Sequence, residues 1–329
     1  MISNKLAIAG LSLGQHPSHS LDNKIKAAAE AGYAGIEIIY SDLEVYSDLH
    51  KLSLLEGAER VNKLCQNVNL QILALASFQN YEGDRSPLNS RLERAERWIE
   101  IARKLRALYL QIPSNYRPDA VGDEAVIISD LRHLATIGDA KQPRVSIAYE
   151  FLSWGTHCST WETALRYVEL VNRPNFGLCL DTFHIGTKLW GDLFAPSGKF
   201  AEADAALKDS LDRFTAEIPV EKIFFVQLSD AERFDPPFSK DHPWYTEGEA
   251  PEFSWSNHGR PFPYEHDLGA YLPITDIAKV WIVDIGFKGW VSMEIFDRGM
   301  KSKESRPEIA AFRGIESWKN LQRELGQST

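Results

Sequence analysis

Four oxygen-bearing side chains stand where short apolar runs stop. Glu150 closes VSIAYE, Asp181 closes FGLCLD, Gln227 lies near the end of IFFVQL, and Glu294 lies near the end of GWVSMEI. Any one of them alone reads as a surface or capping residue. At equivalent ends of consecutive strands they converge instead. Three carboxylates gathered at one point repel one another and are costly to bury unless a cation shares them. Hard oxygen ligands around an open position suit Mn2+ or Mg2+ better than zinc, which prefers histidine and cysteine. Gln227 has a plainer alternative, since a buried glutamine often serves only as a hydrogen-bonding spacer.

His184 follows Asp181 by three residues, in the turn expected between the strand and Gly186. An imidazole beside a metal is a candidate general base with a pKa suited to neutral pH. A polar loop histidine is the plain alternative. Arg260 is a candidate for holding a substrate carboxylate through a bidentate pair. His258 beside it, and Tyr81 after the run LQILALA, join it as candidate substrate contacts, with Glu82 of the same kind. The aromatic cluster in HPWYTEGEAPEFSW reads as packing within a long loop rather than as a cofactor contact.

The elements that must position these groups alternate. Apolar runs at Lys5 to Leu13, Gly35 to Tyr40, Leu70 to Ala76, Ala107 to Ile112, Val145 to Glu150, Phe176 to Asp181, Ile223 to Leu228 and Gly289 to Phe296 read as strands. Helical spacing fills most of the intervals, for example Leu54, Leu55, Ala58, Val61 and Leu64 after Ser53. Strands separated by helices imply parallel pairing with right-handed crossovers. Eight such units predict an α/β fold of the (β/α)8 TIM barrel type, one domain over residues 1–329. An open doubly wound sheet is the alternative, but Gly10 and Gly14 do not make its phosphate turn. The stretch Ser229 to Leu272 has little periodicity and much Pro, Trp, His and Asp. So long a connection is usually a binding element, and after strand seven it is expected to act as a lid over the C-terminal mouth.

The composition is that of a soluble globular chain, 44% hydrophobic and 25% charged over 329 residues. A formal charge of -10 argues against non-specific nucleic-acid binding, which needs a cationic surface. Cys65, Cys158 and Cys179 are too few and scattered for a disulfide framework and read as buried thiols, which favours a reducing, cytoplasmic setting. The start MISNKLAIAGLSLG is short and broken by glycine, so it reads as a strand rather than a signal peptide. No run approaches the ~20 apolar residues of a membrane span.

These residues resemble a family. KLAIAGLSLG followed by HSL, GYAGIEIIY, QNYEG, LCLDTFHI, FVQLSDAER, HPWYTEGEAPEFSWSNHGRPF and GFKGWVSMEIF are similar, nearly end to end, to the 3-dehydroshikimate dehydratases of the xylose-isomerase-like barrel superfamily, in particular the single-domain fungal type. The resemblance implies metal ligands at Glu150, Asp181, Gln227 and Glu294, a catalytic His184 and a substrate-holding Arg260. It implies metal-dependent loss of water from 3-dehydroshikimate to give protocatechuate, in quinate and shikimate catabolism. An α-proton would leave to His184, with Glu150 or Glu294 as the competing base, and a metal-stabilised enolate would expel hydroxide. The family's loop often reads Ser-Arg where this chain has Ser256-Asn257, which leaves room for a shifted substrate preference. Some superfamily members carry histidine where Gln227 stands, and glutamine favours the dehydratase branch. A ketose epimerase or isomerase using the same metal site is the rival enzyme, and a non-enzymatic binding protein on a degraded barrel is the rival outside enzymology. The expected partner is a small carboxylate substrate, with no nucleic acid or membrane, and a homo-oligomer is left open.

Overall fold

Runs of four to six residues become the barrel strands, and their alternation decides what fills the barrel. The computed structural model describes residues 3–327. Its strands are β1 (Leu6–Ala9), β2 (Gly35–Ile39), β3 (Gln71–Ala76), β4 (Tyr109–Pro113), β5 (Ser146–Glu150), β6 (Phe176–Asp181), β7 (Ile223–Leu228), β8 (Gly259–Arg260), β9 (Trp290–Met293) and β10 (Phe296–Asp297). β1 to β7 pair in parallel in chain order, and β9 closes the barrel between β7 and β1. β8 and β10 form a separate antiparallel ribbon with Arg260 opposite Phe296.

The helices are α1 (Leu21–Ala31), α2 (Tyr40–Leu49), α3 (Leu54–Asn67), α4 (Leu88–Leu105), α5 (Glu124–Asp139), α6 (Trp161–Val171), α7 (Thr182–Leu189), α8 (Ala203–Glu217), α9 (Pro251–His258), α10 (Ile274–Ala278) and α11 (Pro307–Gln327). The entry to α3 shows why they start where they do: the Ser53 hydroxyl accepts from the Glu56 amide while the Glu56 carboxylate takes the Ser53 amide. This reciprocal cap satisfies two backbone donors that the helix itself cannot. Among the described residues no helix is long and apolar enough to cross a membrane.

Side chains on a strand alternate between faces. Ala7, Leu73, Ala148, Cys179 and Phe225 pack together inside the barrel, while Ile8, Ile36, Ile38 and Ile147 pack outward into the main core. Glu150, Asp181 and Gln227 each lie two residues beyond an inward member of that set, so they share its face and cap it. The barrel thus presents acids upward from an apolar plug.

Four expectations need correcting. The first apolar run is strand only to Ala9 and then a 3-10 turn, Gly10–Leu13. A helix, α2, follows β2 at once. His184 sits in α7 rather than in a turn, because Asp181 caps that helix through the Phe183 amide and Gly186 continues it. The 229–272 segment is not structureless, since α9 and β8 lie within it.

Candidate active site

The pairing register brings the rim residues to one level. Glu150 lies opposite Pro113 and Cys179, Asp181 opposite Gln227, and Gln227 opposite Ser292. Glu294 stands just past β9, its amide bonded to the Leu228 carbonyl at 3.1 Å. All four are buried.

Their hydrogen bonds differ in a way that matters. Both oxygens of Asp181 are engaged: Oδ1 accepts from the Phe183 amide at 2.8 Å and the Ser229 hydroxyl at 3.0 Å, and Oδ2 accepts from Arg260 Nη2. Glu294 Oε2 accepts from the same Nη2 at 3.0 Å, and Oε1 from Gln227 Nε2 at 3.1 Å. Glu150 Oε2 accepts from Gln111 Nε2 at 2.7 Å, but its Oε1 is buried with no partner. Arg260 is buried against the faces of Phe183 and Phe296, 4.6 and 4.9 Å from their ring centres. Its Nε also lacks a partner, which leaves one N–H for a ligand.

His184 Nε2 lies 3.3 Å from the open Glu150 oxygen and 4.0 Å from Asp181 Oδ2. The Ser153 amide donates to His184 Nδ1 at 3.2 Å, which fixes the neutral tautomer with its proton on Nε2. Burial pushes the His184 pKa down to about 3, against the opposing pull of Asp181. The ring is therefore neutral, its Nε2 beside Glu150 Oε1 but not hydrogen-bonded to it. His184 and Glu150, two of the candidate bases, thus stand side by side. Burial, and then the charge of Asp181, holds Glu150 well above the usual carboxylate range. Glu294 is raised by burial as well, with Arg260 pulling the other way. Burial opposes charge on Arg260, yet Asp181, Glu294 and Glu150 outweigh it.

A fourth lumen acid was not among the expected site residues. Glu37, in the middle of β2, is fully buried, and its oxygens lie 3.2 and 3.1 Å from Gln227 Nε2. Ser292 also donates to it. Burial raises its pKa to about 7. One signal could have found it: a lone acid inside GIEII, at the position where alternation points inward.

The donor set fits a hard divalent cation. Glu150, Asp181 and His184 bring one ligand atom each within 4.8 Å of one another. Four buried carboxylates face one guanidinium, and one carboxylate oxygen is unpartnered; both observations call for further positive charge. Gln227 stands at the same level, its side-chain amide beside Glu37, Glu294 and the Cys179 thiol.

A cavity of about 150 Å³ opens onto this cluster, lined among others by Glu150, His184, Arg260, Glu294, Asn257 and Ser256. Tyr116, Trp154 and Phe253 form an aromatic wall, with ring centres 5.5 Å apart for Tyr116 and Phe253 and 5.7 Å for Trp154 and Phe253. Two candidate contacts lie elsewhere. Tyr81 is buried under Arg94 and against Phe78, outside the cavity lining. His258 stacks on Trp244, because the face of α9 carrying Phe253, Ser256 and Asn257 takes the cavity side and position 258 turns away. Glu82 is also buried away from the cavity, and accepts from the Asn115 amide at 2.6 Å and the Tyr149 hydroxyl at 3.0 Å.

The closed barrel with its acids at the C-terminal rim agrees with a family model described as xylose isomerase-like TIM barrel, matched over residues 25–321. The chain belongs to the xylose isomerase-like TIM barrel family. Among its members, a 3-dehydroshikimate dehydratase of Neurospora crassa is 38% identical over 98% of this chain and 94% of its own length. A 3-dehydroshikimate dehydratase of Pseudomonas aeruginosa is 34% identical over 88% of this chain, which spans only 38% of that longer protein. A solved xylose isomerase-like TIM barrel/4-hydroxyphenylpyruvate dioxygenase fusion protein superposes with a TM-score of 0.75 at 27% identity, covering 98% of this chain and 43% of that one.

Proposed function

We infer that this chain is a 3-dehydroshikimate dehydratase that removes water from 3-dehydroshikimate to give protocatechuate. What carries the reading is the full-length match to a dehydratase of similar size, together with the acids that the barrel gathers beside a small cavity. The ketose epimerase alternative is not favoured, since the named relatives matching along the chain are dehydratases.

In this reading Glu150, Asp181, Gln227 and Glu294 would hold a divalent cation, Mn2+ or Mg2+, beside the Arg260 guanidinium. The cation would supply Lewis acidity at the substrate ketone, so that the neighbouring C–H becomes acidic. Glu150, a carboxylate beside the cation, would take that proton. The carbon–oxygen bond of the leaving hydroxyl breaks, and Glu150 returns the proton to it, so one water departs. The dienone so formed then loses a ring methylene proton and gains one on its ketone oxygen, and the resulting aromatic ring makes the overall reaction one-way. His184 keeps its Nε2–H toward Glu150 and steadies the carboxylate as its charge changes. Arg260, which lines the cavity, would hold the substrate carboxylate. The 229–272 segment, through α9, keeps water from the cavity as a lid over the single barrel.

The test is direct. Purified protein with Mn2+ and 3-dehydroshikimate should generate the ultraviolet absorbance of protocatechuate, and Mg2+ in place of Mn2+ ranks the two ions. Fully metallated protein that forms no product rejects the substrate.

A further inference from the structure

One side chain fastens both strands of the β8–β10 ribbon to the C-terminal helix. Arg313, in the second turn of α11, donates from Nε to Glu265 Oε1 at 2.7 Å and from Nη2 to Glu265 Oε2 at 2.8 Å, fork against fork. The same Nη2 donates to Asp297 Oδ2 at 2.6 Å. The guanidinium also lies over Phe262, 5.4 Å from its ring centre.

Each carboxylate controls one strand. Asp297 belongs to β10 and pairs with Gly259, the neighbour of Arg260, while its other oxygen accepts from the Gly299 amide at 2.7 Å. Glu265 Oε2 accepts from the Phe262 amide at 2.9 Å, so it holds the chain two residues past Arg260. The arginine side chain is 24% exposed, Glu265 19% and Asp297 6%, so water screens this network less than it screens a surface pair. The helix that carries Arg313 is itself anchored: the Tyr33 hydroxyl of the α1–β2 turn donates to the Ala311 carbonyl at 3.1 Å, and the Ser317 hydroxyl donates to the Pro263 carbonyl at 2.8 Å. None of Arg313, Glu265, Asp297 and Phe262 lines the cavity.

We propose that Arg313 is a positioning residue for Arg260, bracing the ribbon against α11 so that the Arg260 guanidinium meets the substrate carboxylate. The inference rests on the substrate-holding role given to Arg260 above. A guanidinium that drifts with an unbraced ribbon holds the carboxylate less well before and during the chemistry alike, and such a uniform loss appears in KM rather than in kcat.

The experiment is steady-state kinetics of the Mn2+-loaded protein on 3-dehydroshikimate. Arg313→Met keeps the length of the side chain without its donors. It should raise KM about 10-fold with kcat within about 3-fold of wild type. In an Arg260→Met background the same change should move KM by less than about 2-fold, because there is no guanidinium left to place. An unmoved KM in Arg313→Met overturns the proposal, as does a loss confined to kcat or a full additional rise in the double variant. Should Arg313→Met fail to fold, Asp297→Asn decides. Its Oδ1 still accepts from Gly299, but an amide nitrogen now faces Arg313, and KM should rise about 3-fold at constant kcat. An unchanged KM there overturns the proposal as well. Wild-type protein that makes no protocatechuate sinks the substrate reading and this inference together, whereas normal turnover with an unmoved KM in the variants sinks the inference alone.

Discussion

Glu37 and Asp230 are both buried, and burial lifts both to a pKa of about 7, yet they serve different kinds of place. Asp230 lies at the foot of the long connection after β7. Its Oδ1 accepts from the amides of Ala231, Tyr271 and Leu272 at 2.8, 2.9 and 2.7 Å, so it staples the two ends of that connection together. Glu82, also near 7, does the same for the loops after β3 and β4. Backbone amides surround Asp230, and one amide and the Tyr149 hydroxyl hold Glu82. Around Glu37, Glu150, Asp181 and Glu294 the partners are mostly side chains, and the acids feel one another. A perturbed carboxylate is therefore a weak guide to chemistry by itself. The informative difference is whether its partners are main chain or other ionisable groups.

That division can be broken by mutation. The largest effect should come from Glu150→Gln, which keeps the shape and the Gln111 contact but removes the proton acceptor: turnover should fall about 1000-fold, with the melting temperature held or raised. A variant retaining a tenth of wild-type turnover would assign the base elsewhere. Arg260→Met should lower kcat/KM roughly 100-fold, mostly through KM, in steady-state assays. Asp230→Ala strips an acceptor from three amides. It should cost about 2 kcal/mol in denaturant unfolding while turnover per folded molecule stays within about 3-fold. Collapse of turnover there would erase the distinction between the two groups.

Glu82→Gln should do least, because a glutamine oxygen still accepts from Asn115 and Tyr149. At pH 5 its stability should match wild type within about 1 kcal/mol. The sharper signature is in pH. Glu82 is raised from 4.5 to about 7, so across that window the folded chain holds more protons than the unfolded one. The contribution of Glu82 to stability then falls as pH rises from 4.5 to about 7. The glutamine variant should show a flatter melting profile over the same range.

Much of this was legible in the residues. Acids at strand ends and eight short apolar runs fix the barrel and its functional rim, because parallel strands in register put equivalent positions at one level. Glu37 was hidden since it ends nothing: it interrupts an apolar run, and only alternation points it inward. The placements of Tyr81 and His258 depended on which way a loop and a two-turn helix face, and composition carries no such information. α7 was masked by Gly186, which packs its bare Cα against Leu272 rather than ending the element. The tautomer of His184 depends on a backbone amide 31 residues earlier in the chain, a contact no local pattern encodes.

The small ribbon of β8 and β10 limits how the entrance can work. Arg260 is zipped to Phe296, two residues beyond Glu294, so cation and acid ride on one rigid piece. Any swinging of the connection must hinge before Gly259, lifting α9 while the guanidinium stays seated. Traffic through the doorway then never exposes the acids to one another without their resident counter-ion.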